Sequence, residues 1–208
     1  MGQIAGDVGG YYTGTLAAHG ATPRGVDWSC KPTQELRFVQ LLKLCPFDAP
    51  FSLNDLGCGY GALRGFMRQR HRRAQVDYLG IDLSPAMIEA ARERWGQLPQ
   101  TRFESTAAAP RIADYSVASG VFNVRLHHAD ADWEPWVART LHSLHASSRM
   151  GFAVNFLAPP QTGEVSPPEL YRPDMGQWTR YCETTLQSVV VPLTGYGLRE
   201  YTLLVSRR

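Results

Sequence analysis

Between residues 51 and 61 the chain passes from a short apolar run, Phe51 to Leu56, into Gly57-Cys58-Gly59-Tyr60-Gly61 and then into a helix-forming stretch. Three glycines in five residues let the backbone take left-handed turns and come close to a bound molecule. A strand, a glycine turn and a helix in that order make the first half of a βαβ unit, which commits the chain to a parallel sheet covered by helices. In such open sheets ligands bind beyond the carboxyl ends of the strands, where the winding reverses, and this turn would stand there.

The flanking segments extend the same pattern. Val76 to Asp82 reads as a second strand. Ser84 as N-cap and Pro85 at the first helical position open a helix that carries Met87, Ile88, Ala91 and Trp95 and ends at Gly96. Arg102 to Ser105, Tyr115 to Ser119 and Met150 to Leu157 are further strands, and Asp132 can cap a helix with Trp133, Trp136, Val137, Leu141 and Leu144 on its buried stripe. A helix is expected from Pro32 to Cys45, and residues 1 to 30 show no sustained periodicity and read as an irregular arm. Residues 158 to 173 are proline-rich, a short helix follows near Asp174 to Cys182, and a hairpin of Leu186 to Leu193 and Leu198 to Val205 closes the chain. The expected division is an N-terminal arm and capping helix over 1–50 and an α/β core over 51–208, with a lid insertion at about 158–184.

Composition excludes more than it suggests. With 21 basic and 19 acidic side chains the formal charge is +2, so nothing draws the chain to nucleic acid or to a membrane surface. No apolar run nears the roughly 20 residues of a membrane helix. The N-terminal residues MGQIAGDVGG lack a basic head and an apolar stretch, and the four cysteines are scattered, so a cytoplasmic protein with reduced thiols is expected. Lys31 and Lys43 are the only lysines, and neither follows a glycine-rich loop or stands four residues after a tyrosine. A Walker A loop and the Tyr-x-x-x-Lys pair of short-chain dehydrogenases are therefore absent.

Two cofactor readings compete for the glycine turn. Gly57, Gly59 and Ala62 satisfy the dinucleotide pattern, with Asp82 at about the expected distance. Asp55 argues the other way: a carboxylate two residues before the first glycine repels a pyrophosphate and attracts the ammonium and sulfonium of S-adenosylmethionine. The run Leu53 to Gly61 resembles the D-x-G-C-G-x-G signature of class I S-adenosylmethionine-dependent methyltransferases. Tyr78 to Met87 resembles their second-strand motif. The resemblance implies a Rossmann-like, doubly wound α/β fold with a seven-stranded, mostly parallel sheet and an antiparallel last strand. It also implies a cofactor, S-adenosyl-L-methionine, leaving as S-adenosyl-L-homocysteine. By the same resemblance Asp55, Gly57, Cys58 and Gly59 would hold the methionine part, Asp82 the ribose, and Leu83 and Met87 the adenine; no clean match for a further adenine contact stands among Glu104, Ser105 and Thr106.

Other candidates follow from position. Ser119 and Asn123 close the fourth strand where the family passes the methyl group, and Tyr11, Tyr12 and Trp28 of the arm could cover the cofactor or acceptor. Arg37 could reach the methionine carboxylate, Asn155 could touch substrate from the end of the fifth strand, and His19 and His127 are candidate bases. His127 and His128 have no neighbouring cysteine or third spaced ligand, so no metal site is expected. The basic run Arg64 to Arg73 reads as a solvated helix end without interleaved aromatics. The expected function is methyl transfer to an O, N or S atom of a small molecule. The alternatives are a nicotinamide-dependent oxidoreductase and a cofactor-binding partner protein without turnover.

Overall fold

The computed structural model describes residues 2–208. Seven strands form one sheet: β1 (Phe51–Leu56), β2 (Val76–Asp82), β3 (Thr101–Ser105), β4 (Ala113–Ala118), β5 (Ser148–Leu157), β6 (Val189–Leu193) and β7 (Glu200–Ser206). Their order is β3-β2-β1-β4-β5-β7-β6. The first five pair in parallel, and β7 runs antiparallel to both β5 and β6. The winding reverses between β1 and β4, so a crevice opens beyond their carboxyl ends.

Among the described residues six α-helices accompany the sheet: α1 (Gly2–His19), α2 (Lys31–Leu41), α3 (Ala62–Arg70), α4 (Pro85–Trp95), α5 (Asp130–Ala146) and α6 (Met175–Thr184). Strand alternation sorts the core into two layers. Leu56, Ile81, Phe152, Val154 and Phe156 face Trp133, Val137 and Leu141 of α5 and Trp178 and Cys182 of α6. On the other face Leu53, Tyr78, Val117 and Ala153 meet Phe38 and Leu41 of α2, Phe66 and Met67 of α3, and Ile88 and Ala91 of α4. With both faces covered, β5 can be almost continuously apolar.

Several boundaries depart from the sequence reading. Residues 2–19 form a helix instead of an irregular arm, and a 3-10 turn, Pro23–Val26, follows. Five glycines hide this helix from propensity. Packing makes it: Ile4 and Val8 are buried in the first core layer, Tyr12 continues the stripe at four-residue spacing, and Gly9 faces Leu83. The cap of α5 is Ala129 and not Asp132, which lies in the first turn where its charge suits the helix dipole. Ser84 does cap α4, its hydroxyl accepting from the amide of Met87 at 3.2 Å. Of the segment expected as a lid, residues 158–173 lack helix and extended strand, while α6 lies in the core layer through Trp178 and Cys182.

Candidate functional site

The turn after β1 stands at the switch point, and its backbone explains its glycines. Gly57 and Gly59 have φ of 71° and 53°, and a Cβ on either would lie 2.5 Å from Val121 or 2.9 Å from Val26. Around this turn is a cleft lined from five directions. Ala5, Val8, Gly9 and Tyr12 come from α1, Gln34 and Phe38 from α2, and Asp55 to Tyr60 from β1 and its turn. Asp82, Leu83 and Met87 come from the β2–α4 junction, and Ser119, Gly120 and Val121 follow β4. Val26, Trp28, Ala62, Leu63, Thr106, Ala107, Trp136 and Thr140 complete it.

Among the described residues, two carboxylates are the only charged side chains in this lining. Asp55 is 2% exposed, and burial pushes its carboxyl up to about 7, against a lowering hydrogen bond from the Tyr78 hydroxyl at 2.5 Å and a raising contribution from Asp82. Asp82 is likewise raised by burial, although it accepts from the amides of Gly59 and Ser84, each at 2.9 Å. The bond from Gly59 ties the turn after β1 to the end of β2, the local bond from Ser84 closes the β2–α4 junction, and together they fix the Asp82 carboxylate at the cleft wall, with lone pairs left for further donors. The Cys58 thiol is buried and pushed well up, so it packs as a small apolar group and not as a nucleophile.

The comparisons with known proteins fit this geometry. A family model described as a methyltransferase domain matches residues 54–147, which includes the turn, Asp82 and α5. A Mycobacterium tuberculosis (strain H37Rv) protein provisionally named methyltransferase Rv1506c is 42% identical over 158 residues, 76% of this chain and 94% of that one. The chain belongs to the class I S-adenosylmethionine-dependent methyltransferase family. The methyltransferase is also 37% identical over 95 residues to trans-aconitate 2-methyltransferase of Methylobacterium radiotolerans, a match spanning 44% of this chain and 35% of that enzyme. Magnesium protoporphyrin IX methyltransferase of Synechocystis PCC 6803, solved with bound S-adenosylhomocysteine, shares the fold at a TM-score of 0.61 and 15% identity, over 85% of this chain and 82% of that one.

The methyltransferase places the sequence candidates unequally. Asp55, Gly57, Cys58, Gly59, Asp82, Leu83, Met87, Ser119, Trp28 and Tyr12 all line the cleft. Arg37, Asn155, Asn123, Tyr11, His19 and His127 do not line it. Arg37 is buried and committed elsewhere: its Nε donates to Glu200 at 2.7 Å, its Nη2 also bonds that carboxylate, and its Nη1 donates to the carbonyl of Thr33. Asn155 is a satisfied buried amide, with Oδ1 accepting from the amide of Gly120 at 2.7 Å and Nδ2 donating to Glu200 at 2.9 Å. Together they support the cleft from behind, since Trp28 stacks 3.7 Å from the Arg37 guanidinium and touches Gly120. Asn123 is buried, and neither amide atom has a hydrogen-bond partner among the described residues. His19 is exposed at the end of α1, and His127 is exposed beside Asp7.

Residues that sequence reasoning missed also line the cleft. Gln34 was hidden inside an apparently ordinary helix, and its Oε1 accepts from the Tyr60 hydroxyl at 3.1 Å, which orients the amide with its NH2 as the donor end. Ala107 lines it beside Thr106, which the sequence names without a clean match to an adenine contact, and the Thr106 amide donates to the carbonyl of Asp82 at 3.1 Å. Trp136, read as core, is half-buried and faces the cleft.

Proposed function

We propose that this methyltransferase acts on a small, largely apolar acceptor without negative charge, at an O, N or S atom. One observation carries the reading: the cleft is walled by Val8, Tyr12, Trp28, Val121 and Trp136, and its only charged side chains are two carboxylates. Such a lining attracts a cationic cofactor and disfavours a polyanionic acceptor. When bound, S-adenosylmethionine would supply an activated methyl group on sulfur for in-line transfer to an acceptor lone pair, leaving a neutral thioether, with the proton of an O–H, N–H or S–H acceptor released to solvent.

The chain's own residues then do three things. Asp82 would accept from the ribose hydroxyls, and Asp55 with the amides of the glycine turn would hold the ammonium and carboxylate ends of the methionine part. Gln34 would donate to that carboxylate in place of Arg37, which Glu200 already neutralises. Tyr12 and the α1 side chains would exclude water and align the acceptor, the terms in which a bimolecular displacement is accelerated by binding alone. Burial raises the Tyr12 hydroxyl and Asp27 raises it further, so it serves as a hydrogen-bond donor and not as a base. Ser119, whose buried hydroxyl lacks a partner, stands at the end of β4 to meet either molecule.

Calorimetric titration with S-adenosylmethionine, S-adenosylhomocysteine and NADH, followed by transfer of labelled methyl to acceptor panels, tests this. The adenosyl ligands alone should bind, and neutral phenols, amines and thiols should outcompete tricarboxylates. Labelling confined to tricarboxylates, RNA or protein would overturn the acceptor class, and binding of NADH alone would overturn the cofactor.

A further inference from the structure

Beside the cleft, α1 and the loop between β4 and α5 bring together three side chains that can bind a metal. Asp7 Oδ2 lies 3.1 Å from Nε2 of His128 and 3.7 Å from Nε2 of His127. All three ligand atoms fall within 4.8 Å of one another. A tetrahedral zinc ion, with bonds of about 2.0–2.2 Å, needs its ligand atoms roughly 3.3–3.6 Å apart, and the two measured separations bracket that edge. Two imidazoles and one carboxylate form a donor set that suits late divalent transition ions and not magnesium or calcium, which take oxygen.

The surroundings hold the histidines in place. Leu126 takes a left-handed φ of 57°, which turns the chain so that both following side chains reach Asp7. The amide of His128 donates to the carbonyl of Arg125 at 3.1 Å, and Nη1 of Arg125 donates back to the carbonyl of His128 at 2.7 Å. His128 is 8% exposed and lies against Trp133, whereas His127 is exposed and leaves one side of the cluster open to solvent. A simple hydrogen-bonded tie between helix and loop needs only His128; the second imidazole aimed at the same carboxylate oxygen is what a shared ion explains.

We propose that Asp7, His127 and His128 form a site for zinc or a similar divalent transition ion, with three protein ligands and an open fourth position. The ion would pin α1, whose Ala5, Val8 and Gly9 line the cleft, to the loop that follows β4. This inference rests on the cluster alone and not on the acceptor proposed above.

The test uses the full chain stripped of metal with a chelator and then dialysed. Zinc is titrated in competition with a chromogenic chelator, and cobalt is added as a spectroscopic stand-in whose visible absorption reports tetrahedral nitrogen and oxygen ligation. Asp7→Asn and His127→Ala are measured beside Cys30→Ser, which removes the exposed thiol. One equivalent of zinc should bind with a rise in Tm, and each of the first two variants should weaken binding at least about 100-fold, more than loss of a supporting residue does. Cys30→Ser should leave it unchanged. Because His127 is exposed, His127→Ala keeps the test valid even if Asp7→Asn unfolds. Zinc binding that both variants leave intact, no binding at micromolar zinc, or equal binding of magnesium would overturn the site.

Discussion

With Asp55 facing the ligand's ammonium as proposed above, burial of its carboxyl would make cofactor binding a proton-coupled event. With its carboxyl pushed up to about 7, the unliganded cleft holds that group partly protonated at neutral pH and almost wholly protonated at pH 5.5. A ligand carrying an ammonium group favours the ionised form, so binding should expel the proton. For a carboxyl titrating near 7, the expected release is about 0.5 proton at pH 7 and about 1 at pH 5.5, and affinity should rise roughly 16-fold between them, about 1.6 kcal/mol. The range stops at pH 7 because the ligand's own α-amino group loses its proton near 8. Calorimetry of S-adenosylhomocysteine binding in buffers of different ionisation enthalpy counts the protons directly. Asp55→Asn should abolish the release attributable to this site and flatten the affinity, while any remaining slope belongs to Asp82. If the wild type releases no proton at pH 5.5 and its affinity does not change with pH, Asp55 does not face the ligand's cation and the reasoning fails.

The same carboxyl sets a stability difference. Its folded pKa lies above its unfolded value, so its contribution is full below about pH 4 and disappears as pH rises through about 7. Relative to Asp55→Asn, the unliganded wild type should therefore lose about 4 kcal/mol across that interval, read by urea unfolding at several pH values. Asp82→Ala should keep the fold by circular dichroism and lower affinity for S-adenosylhomocysteine by about 100-fold or more, the worth of two hydrogen bonds to a charged acceptor; unchanged affinity removes Asp82 from the site. Gly120→Ala adds a Cβ 2.4 Å from Trp28 at a φ of 74°, so it should cost about 1–2 kcal/mol, shift the tryptophan fluorescence and weaken cofactor binding. Arg37→Met leaves Glu200 buried and unpaired and should cost about 3–5 kcal/mol in chemical denaturation, most of it recovered when Glu200→Gln is added.

What the sequence disclosed follows from how local each signal is. The β1 turn, Asp82 and the Ser84-Pro85 cap each lie within a few residues of the feature they build, so glycine placement and capping chemistry were enough to read them. Helix α1 was missed because its glycines weaken local propensity while its stabilisation comes from Ile4 and Val8 docking on a distant core. Arg37 and Asn155 stand out in the sequence as candidates for touching ligands for a related reason. Their true partner, Glu200, stands 163 residues from one and 45 from the other, and only the antiparallel pairing of β7 with β5 brings it there. The sequence does not show Asp7 beside His127 and His128 because it comes from a helix 121 residues away from His128. Gln34 and Trp136 carried no signal that separates a cleft wall from a core.

The buried chain from Arg37 through Glu200 and Asn155 to the amide of Gly120 also binds the history of these positions together. No member of that set can be exchanged alone without stranding a charge or a polar atom in the interior, so change should come in concert. Aligned relatives should carry either all three side chains or a neutral replacement set, with positions 37, 155 and 200 covarying more strongly than their separation in the chain would suggest. The last strand should thus be coupled by descent to the loop beside the cleft, and a branch of the family that rebuilds β7 should have to rebuild the support of Trp28 with it.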